Sequence, residues 1–362
     1  MQNTKTILIA PLDWGLGHAT RCMPIIDVLL KNKHRVLIAG NGDSFLLLKE
    51  TYPSCTFYEL PAYNIQYSNG KNAALQSLLQ TPKIMRAIEQ ENSTLQQITT
   101  IEKIDLIISD NRYGIRHPDI KSIIICHQIA LQSPSPFGFM NPVFLKLHLQ
   151  QIHKFNALWI PDNENEPTLS GKLSHDISFK IPHRYIGILS RFSNYSKQVS
   201  FVDELDFDVL IVLSGVEPQR TTLEQELIHQ FKKRKEKVLL IQGKTEVFSQ
   251  SIEDNCTIIS YLNTNDLFSA IQKSKILIAR SGYSTVMDLA VLDKQAIFIP
   301  AAGQTEQEYL AKTLSEKGFA VACHPQKINI NEAILHLKKC NGFKNYTTNS
   351  MVLESIILQS FL

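Results

Sequence analysis

A histidine set just past a glycine turn is the first residue in this chain suited to moving a proton. The apolar run at 7–11 leads into Asp13-Trp14-Gly15-Leu16-Gly17-His18-Ala19-Thr20-Arg21, where a helix begins. Glycines at a strand-to-helix turn let the backbone approach a ligand, and the helix N-terminus offers unpaired N–H groups. Gly15, Gly17 and His18 would thus face the crevice at the carboxyl ends of the strands, with His18 as general base. The plainer reading of His18 is a cap on the turn. Two more strand ends carry rivals. Asp110-Asn111-Arg112-Tyr113-Gly114 and Cys126-His127-Gln128 each follow a buried run. Asp110 and His127 are the alternative bases, and Asn111 and Arg112 share the loop that follows Asp110. A strand-end Asp is otherwise often a helix or turn cap.

Residues in the second half suit anion and hydroxyl binding instead. One run ends in Ser214-Gly215 and then Glu217-Pro218-Gln219-Arg220. Pro218 fits a first helical turn, and Arg220 has the fork that pairs with phosphate. A surface pair with Glu224 explains Arg220 equally well. Another run ends at Arg280, and Ser281-Gly282-Tyr283-Ser284-Thr285 opens a helix. Gly282 permits close approach, while Ser284 and Thr285 can bond to phosphate oxygens at the helix start. Asp288, one turn further, can accept bonds from two sugar hydroxyls. After the next run, Pro300-Ala301-Ala302-Gly303-Gln304 forms a loop ahead of Gln307 and Glu308, a carboxamide and a carboxylate suited to a hexose. Plain N-capping and solvated helix faces are the bland alternatives.

Alternating strands and helices must position these residues. Strand-like runs fall at 7–10, 35–40, 56–60, 105–110, 122–126 and 157–161, then again at 208–213, 237–243, 256–262, 275–280, 295–300 and 319–323. Helical stretches separate them, so right-handed crossovers and mainly parallel sheets follow. The expected fold is α/β: two doubly wound Rossmann-like domains facing a cleft. The N-terminal domain covers 1–188, the polar stretch 189–206 is the linker, and the C-terminal domain covers 207–344. The third glycine of a dinucleotide fingerprint would fall at Thr20, and no acid closes the second strand, which argues against NAD.

Composition bounds the function. With 362 residues, 44% hydrophobic and 20% charged, the chain has material for two folded domains. A net charge of +3 is too small to announce nucleic-acid binding. No apolar stretch reaches the ~18 residues of a membrane span. Six scattered cysteines without a Cys-x-x-Cys pair fit cytosolic thiols, and a cytoplasmic location. Residues 134–148, apolar and aromatic but broken by proline, could rest on a membrane surface beside Lys146, His148, His153 and Lys154. That contact would place the protein at the inner face of the cytoplasmic membrane. A loop tucked over the core is the competing reading.

The strand–Ser-Gly-x-x-Thr–helix with its acid, then strand–Pro–loop–Gln, resembles the donor half of GT-B nucleotide-sugar glycosyltransferases, and family 28 in particular. The Gly-Leu-Gly-His loop is similar to that family's Gly-Gly-His loop. Departures are Asp288 in place of the usual Glu, Ser214-Gly215-Val216-Glu217 in place of a glycine-rich turn, and Asp13-Trp14 in place of small residues. The resemblance implies that the main chain at Leu262 contacts a uracil ring. Ser281, Gly282 and Thr285 would bind the diphosphate, Asp288 the ribose, and Gln307 and Glu308 the sugar. His18 would face the acceptor hydroxyl, Asn111 and Arg112 would stand on the acceptor side, and the tail 345–362 would pack back on the N-terminal domain. An inverting transfer of a hexose from a UDP-sugar is then expected, with N-acetylglucosamine as the sugar and a glycolipid or other hydroxyl as acceptor in cell-envelope synthesis. Helix N-termini and Arg220 would stabilise the leaving group without a metal or other cofactor. A UDP-sugar 2-epimerase of the same fold and a non-catalytic nucleotide-sugar-binding regulator are the alternatives; a nicotinamide oxidoreductase is the weakest.

Overall fold

The computed structural model describes residues 4–63, 73–131, 133, 137–193, 195–196, 198–215, 217–244, 247–343, 346 and 350–361. The chain divides into two compact units, Met1–Ser193 with Thr348–Leu362, and Asn194–Thr347.

The first unit is built on β1 (Thr6–Pro11), β2 (Arg35–Gly40), β3 (Thr56–Glu59), β4 (Leu106–Asp110), β5 (Ser122–Ile125), β6 (Ala157–Ile160) and β7 (His183–Tyr185), in sheet order β3-β2-β1-β4-β5-β6-β7. Every pairing is parallel. Helices α1 (Leu16–Lys31), α2 (Gly42–Thr51), α3 (Ala73–Ile101) and α4 (Asn141–Ile152) connect β1 to β2, β2 to β3, β3 to β4 and β5 to β6. Central strands are apolar at consecutive positions because both faces are covered: Ile7, Leu8, Ile9 and Ala10 are all fully buried. Each such aliphatic side chain contributes about 1.5–3 kcal/mol of burial. Gly114 is required by packing, since a Cβ there would lie 2.3 Å from the Ile88 carbonyl oxygen and 2.6 Å from Glu91 Cβ on α3.

The second unit repeats the plan with β8 (Val209–Val212), α5 (Gln219–Phe231), β9 (Val238–Ile241), β10 (Gln250–Glu253), β11 (Cys256–Ile259), α6 (Thr264–Lys273), β12 (Ile276–Ala279), α7 (Tyr283–Val291), β13 (Ile297–Phe298), α8 (Thr305–Glu316), β14 (Val321–Ala322) and α9 (Ile330–Leu337). The order is β10-β11-β9-β8-β12-β13-β14, parallel except for the β10–β11 hairpin. Val209, Ile211, Leu240, Ile278, Ile297 and Phe231 share its core.

The final helix, α10 (Ser350–Gln359), belongs to the first unit. Glu354 accepts from Lys31 Nζ at 3.0 Å and from Asn32 Nδ2 at 3.0 Å. Lys121 Nζ donates to the Ser360 carbonyl at 2.8 Å, and Phe361 lies against His34 with ring centroids 4.8 Å apart. Residues 345, 347–349 and 362 of the expected tail lie outside the described residues.

The stretch expected as a polar linker, 189–206, is partly exposed, with Val199 97% accessible, and partly anchored. Leu189, Phe192, Ser200 and Val202 are buried, and Ser200 Oγ donates to Asp266 Oδ1 at 2.6 Å. The unit boundary falls inside it, after Ser193. Residues 194 and 197 are outside the described set.

Candidate active site

Both sheets reverse strand order beside their first strand, at β1/β4 and at β8/β12, and crevices at such switch points are where doubly wound sheets bind ligands.

In the first unit, register places Pro11 beside Asp110 and Asp110 beside Ile125, so the three following loops start at one level. Gly15 adopts φ 76° as the N-cap of α1, a left-handed conformation that favours glycine. His18 and Arg21 lie three residues apart on α1 and therefore share a face. His18 Nδ1 is 2.9 Å from Asp110 Oδ2. Arg21 donates through Nε to Asp110 Oδ2 at 2.8 Å and through Nη2 to Asp110 Oδ1. Its Nη1 is 2.9 Å from His127 Nδ1. Burial alone would raise the Asp110 carboxyl, but Arg21 and His18 hold it down at about 2, so it is ionised. Burial, reinforced by Arg21, pushes the His18 imidazole below its ordinary value, keeping it neutral near pH 7.

These contacts redirect several expected roles. Asp110 is fully buried and can orient His18 but not reach an acceptor. His127 has its Nδ1 facing a guanidinium, which has no lone pair, so this nitrogen accepts and cannot act as a base. Arg112 is fully buried rather than acceptor-facing. It donates to Glu91 Oε1 at 2.6 Å and to the Pro11 carbonyl at 2.7 Å. Asn111 sits at φ 57°, and its amide turns inward; with its oxygen and nitrogen assigned in the orientation that satisfies both neighbours, it donates to the Ile125 carbonyl at 3.2 Å and accepts from Arg21 Nη2 at 3.3 Å. His148, expected near a membrane surface, is buried, with its ring bonded to Tyr113 Oη at 2.5 Å and the Ile129 carbonyl at 2.9 Å.

In the second unit, α7 starts at Gly282, an N-cap residue with no side chain of its own, so a ligand can approach the helix N-terminus closely there. Ser284 and Thr285 are half-buried there, and Asp288 is 5% exposed. The Leu262 N–H and carbonyl, just beyond β11, make no hydrogen bond among the described residues. Gly215 has φ 104°, and an added Cβ would meet open space. Val216 lies outside the described residues.

Here too the structure corrects expectations. The Ser281 hydroxyl is fully buried and donates to the Gln307 carbonyl at 2.8 Å, so it joins α7 to α8 rather than facing a phosphate. Gln307 spends its amide on the Ala301 N–H (2.9 Å) and Gln304 Oε1 (2.9 Å). Glu308 Oε1 accepts from the Gly303 N–H at 2.9 Å. Both side chains therefore shape the 301–304 loop. Arg220 pairs with Glu217, Nε to Oε1 at 3.0 Å, and not with Glu224, whose Oε1 accepts from Gln242. One Asp-x-Asp spacing, overlooked in the expectation of a metal-free site, does occur at Asp206 and Asp208. It precedes β8, at the opposite end of the strand from the crevice, and its carboxylates are held by Lys237 (2.5 Å) and Lys275 (2.7 Å). Among the described residues, no group of three or more His, Cys, Asp or Glu is placed to hold a metal.

Two buried arginines escaped the sequence reading. Arg21 is one. The other, Arg280, is 4% exposed at the end of β12. It donates to the carbonyls of Ile299 (3.0 Å), Pro300 (2.9 Å) and Gln219 (3.3 Å), tying the loop before α8 and the start of α5 to the turn before α7. Its Nε has no partner, and burial lowers it to about 10. The available signal was a charged residue bordering an apolar run, Arg280 after Ile276–Ala279 and Arg21 just ahead of Cys22-Met23-Pro24-Ile25-Ile26.

Two doubly wound sheets with ligand crevices at their switch points define a GT-B glycosyltransferase fold. The solved calicheamicin glycosyltransferase CalG4 superposes on the chain with a TM-score of 0.63 at 12% identity, over 100% of this chain and 96% of that one. Residues 206–356 match the glycosyltransferase family 28 C-terminal domain. The chain is a glycosyltransferase, and the part of it that matches the family 28 model lies mostly in the second unit. It is 22% identical over 343 residues, 93% of this chain and 88% of the relative, to the UDP-N-acetylglucosamine--N-acetylmuramyl-(pentapeptide) pyrophosphoryl-undecaprenol N-acetylglucosamine transferase of Haemophilus influenzae. The enzyme of the same name from Thermosipho africanus is 33% identical over 97 residues, which span 26% of this chain and 28% of that enzyme.

Proposed function

We propose that the protein transfers a hexose, N-acetylglucosamine or a close relative, from a UDP-sugar to a hydroxyl of a lipid-linked acceptor in cell-envelope synthesis, with inversion. The observation that carries the reading is the His18–Asp110 pair at 2.9 Å in a chain whose second unit carries the match to the family 28 model. Asp110 holds the Nδ1 proton, leaving the Nε2 lone pair of His18 to take the proton of the acceptor hydroxyl. The acceptor oxygen then bonds to the anomeric carbon as the bond to UDP breaks.

The second unit supplies the donor side. Main-chain groups at Leu262 that make no hydrogen bond among the described residues suit a uracil edge, the N-terminus of α7 at Gly282, Ser284 and Thr285 suits a diphosphate, and Asp288 suits the ribose hydroxyls. Arg280 adds buried positive charge with no carboxylate bonded to it among the described residues. No metal or other cofactor is required by this scheme. On α4 and the turn before it, Phe139, Val143 and Leu147 recur every four residues and are 76%, 53% and 53% exposed, beside exposed Lys146. That stripe suits peripheral contact with the inner face of the cytoplasmic membrane, where a lipid-linked acceptor would lie. Of the expected patch, residues 134–136 are outside the described residues. Among the described residues no helix is long and apolar enough to cross a membrane.

The test is UDP release by purified protein incubated with UDP-hexoses, with and without membrane lipid extract. Release that depends on the extract is the expected result. Binding without turnover, or interconversion of the donor without acceptor, would overturn it.

A further inference from the structure

We propose that Arg21 is a positioning residue that fixes opposite proton placements on the two histidines of the first unit, so that only His18 can serve as a base. The inference rests on the reading of His18 as the base.

The argument is one of donors and acceptors. Arg21 is 2% exposed, and a guanidinium donates at every position and accepts at none. His127 Nδ1, 2.9 Å from Arg21 Nη1, must present its lone pair, so neutral His127 carries its proton on Nε2. His18 Nδ1 is the contested atom. It lies 2.9 Å from Asp110 Oδ2, an acceptor, and 2.8 Å from Arg21 Nη2, a donor. Its proton state depends on which of the two it serves.

Both Nη2 hydrogens have other acceptors, Asp110 Oδ1 and, with the Asn111 amide in the orientation that satisfies its neighbours, the Asn111 amide oxygen at 3.3 Å. An ionised carboxylate facing a bare imidazole lone pair would be repulsive. His18 Nδ1 therefore carries the proton and donates it in a hydrogen bond to Asp110 Oδ2, which leaves the lone pair on Nε2. The same guanidinium that neutralises Asp110 thus withholds one histidine from base chemistry and frees the other. The charged or titratable groups facing His18 are Arg21, Asp110 and His127, and Cys22 Sγ lies 3.9 Å from Asp110 Oδ2.

The proton placements are read directly by ¹⁵N NMR of the histidine-labelled full-length protein near pH 7.5. The expected result is the Nδ1–H form for His18 and the Nε2–H form for His127, assigned with His18→Gln and His127→Gln. The Nε2–H form at His18, or Nδ1–H at His127, would overturn the proposal with no Arg21 variant needed. In Arg21→Gln the His127 preference should be lost. The acid limb of kcat/KM should move to higher pH, because a positive charge beside His18 is gone. Turnover should fall about 10- to 100-fold, the scale seen for outer partners of metal-bound histidines. Unchanged tautomers and an unmoved acid limb in a folded Arg21→Gln would also overturn it. If the parent tautomers are as expected but His18→Ala keeps its turnover, the base assignment fails and the proton placements stand.

Discussion

Arg21 and Arg280 are both buried at the carboxyl end of a central strand's crevice, and they are treated oppositely. Arg21 is clasped by Asp110 through two of its nitrogens. Among the described residues, Arg280 has three carbonyls as partners and an unbonded Nε. Leaving a buried charge without a counter-ion costs several kcal/mol, so a fold keeps one where something else supplies the balance. Inside the first unit the charges cancel, which suits a site that moves a proton. Inside the second they do not, which suits a site that receives an anion.

The sharpest way to break this contrast is at His18. His18→Ala should lower turnover by about two to four orders of magnitude in the UDP-release assay. Asp110→Asn, which removes the acceptor for the Nδ1 proton, should cost about three. Near-normal turnover in both would remove proton chemistry from the first unit.

The second unit answers to Arg280. Arg280→Met should weaken UDP binding roughly tenfold while uridine, lacking the diphosphate, binds as before, the effect of one charge at moderate effective dielectric. Equal losses for both ligands in titration calorimetry would make Arg280 a structural brace alone.

A smaller effect sharpens the first half. His18 must be neutral to act, and burial sets it below its usual 6.5. The kcat/KM profile should therefore stay level as pH falls to 6.5 and drop only below it. An acid limb centred above 7 would contradict the burial argument.

The smallest effect concerns α4. Phe139→Asp with Leu147→Asp should reduce sedimentation with anionic vesicles and leave the melting temperature within a degree or two, because both side chains are more than half exposed. A large drop in melting temperature would assign that stripe to folding.

Much of this was legible in the sequence where chemistry and pattern coincide. Consecutive apolar runs marked the central strands, and His18 and Asp110 were visible as strand-end residues. Their pairing was not, because it depends on β1 and β4 being neighbours across 92 residues of chain. The edge strands β7 (His183–Tyr185) and β10 (Gln250–Glu253) carry polar sequences that no apolar pattern reports. Ser281, Gln307 and Glu308 have the types expected of ligand contacts, yet the same groups satisfy loop N–H and carbonyl partners, and composition cannot distinguish the two uses. Arg112 misled for a related reason, since its partner Glu91 sits on α3, 21 residues upstream.

The division of labour between the units is tested most directly by measuring UDP affinity and acceptor-dependent turnover on the same three proteins: parent, His18→Ala and Asp288→Ala. Asp288→Ala should lose about 1.5–3 kcal/mol of UDP binding, roughly a 10- to 150-fold weaker Kd, as two ribose hydroxyls lose a charged acceptor. Asp288→Glu should retain at least half the parent affinity, and His18→Ala should bind UDP as the parent does while losing turnover. If Asp288→Ala binds UDP as tightly as the parent, or His18→Ala loses affinity and turnover in equal measure, the assignment of donor binding to one unit and proton transfer to the other is wrong.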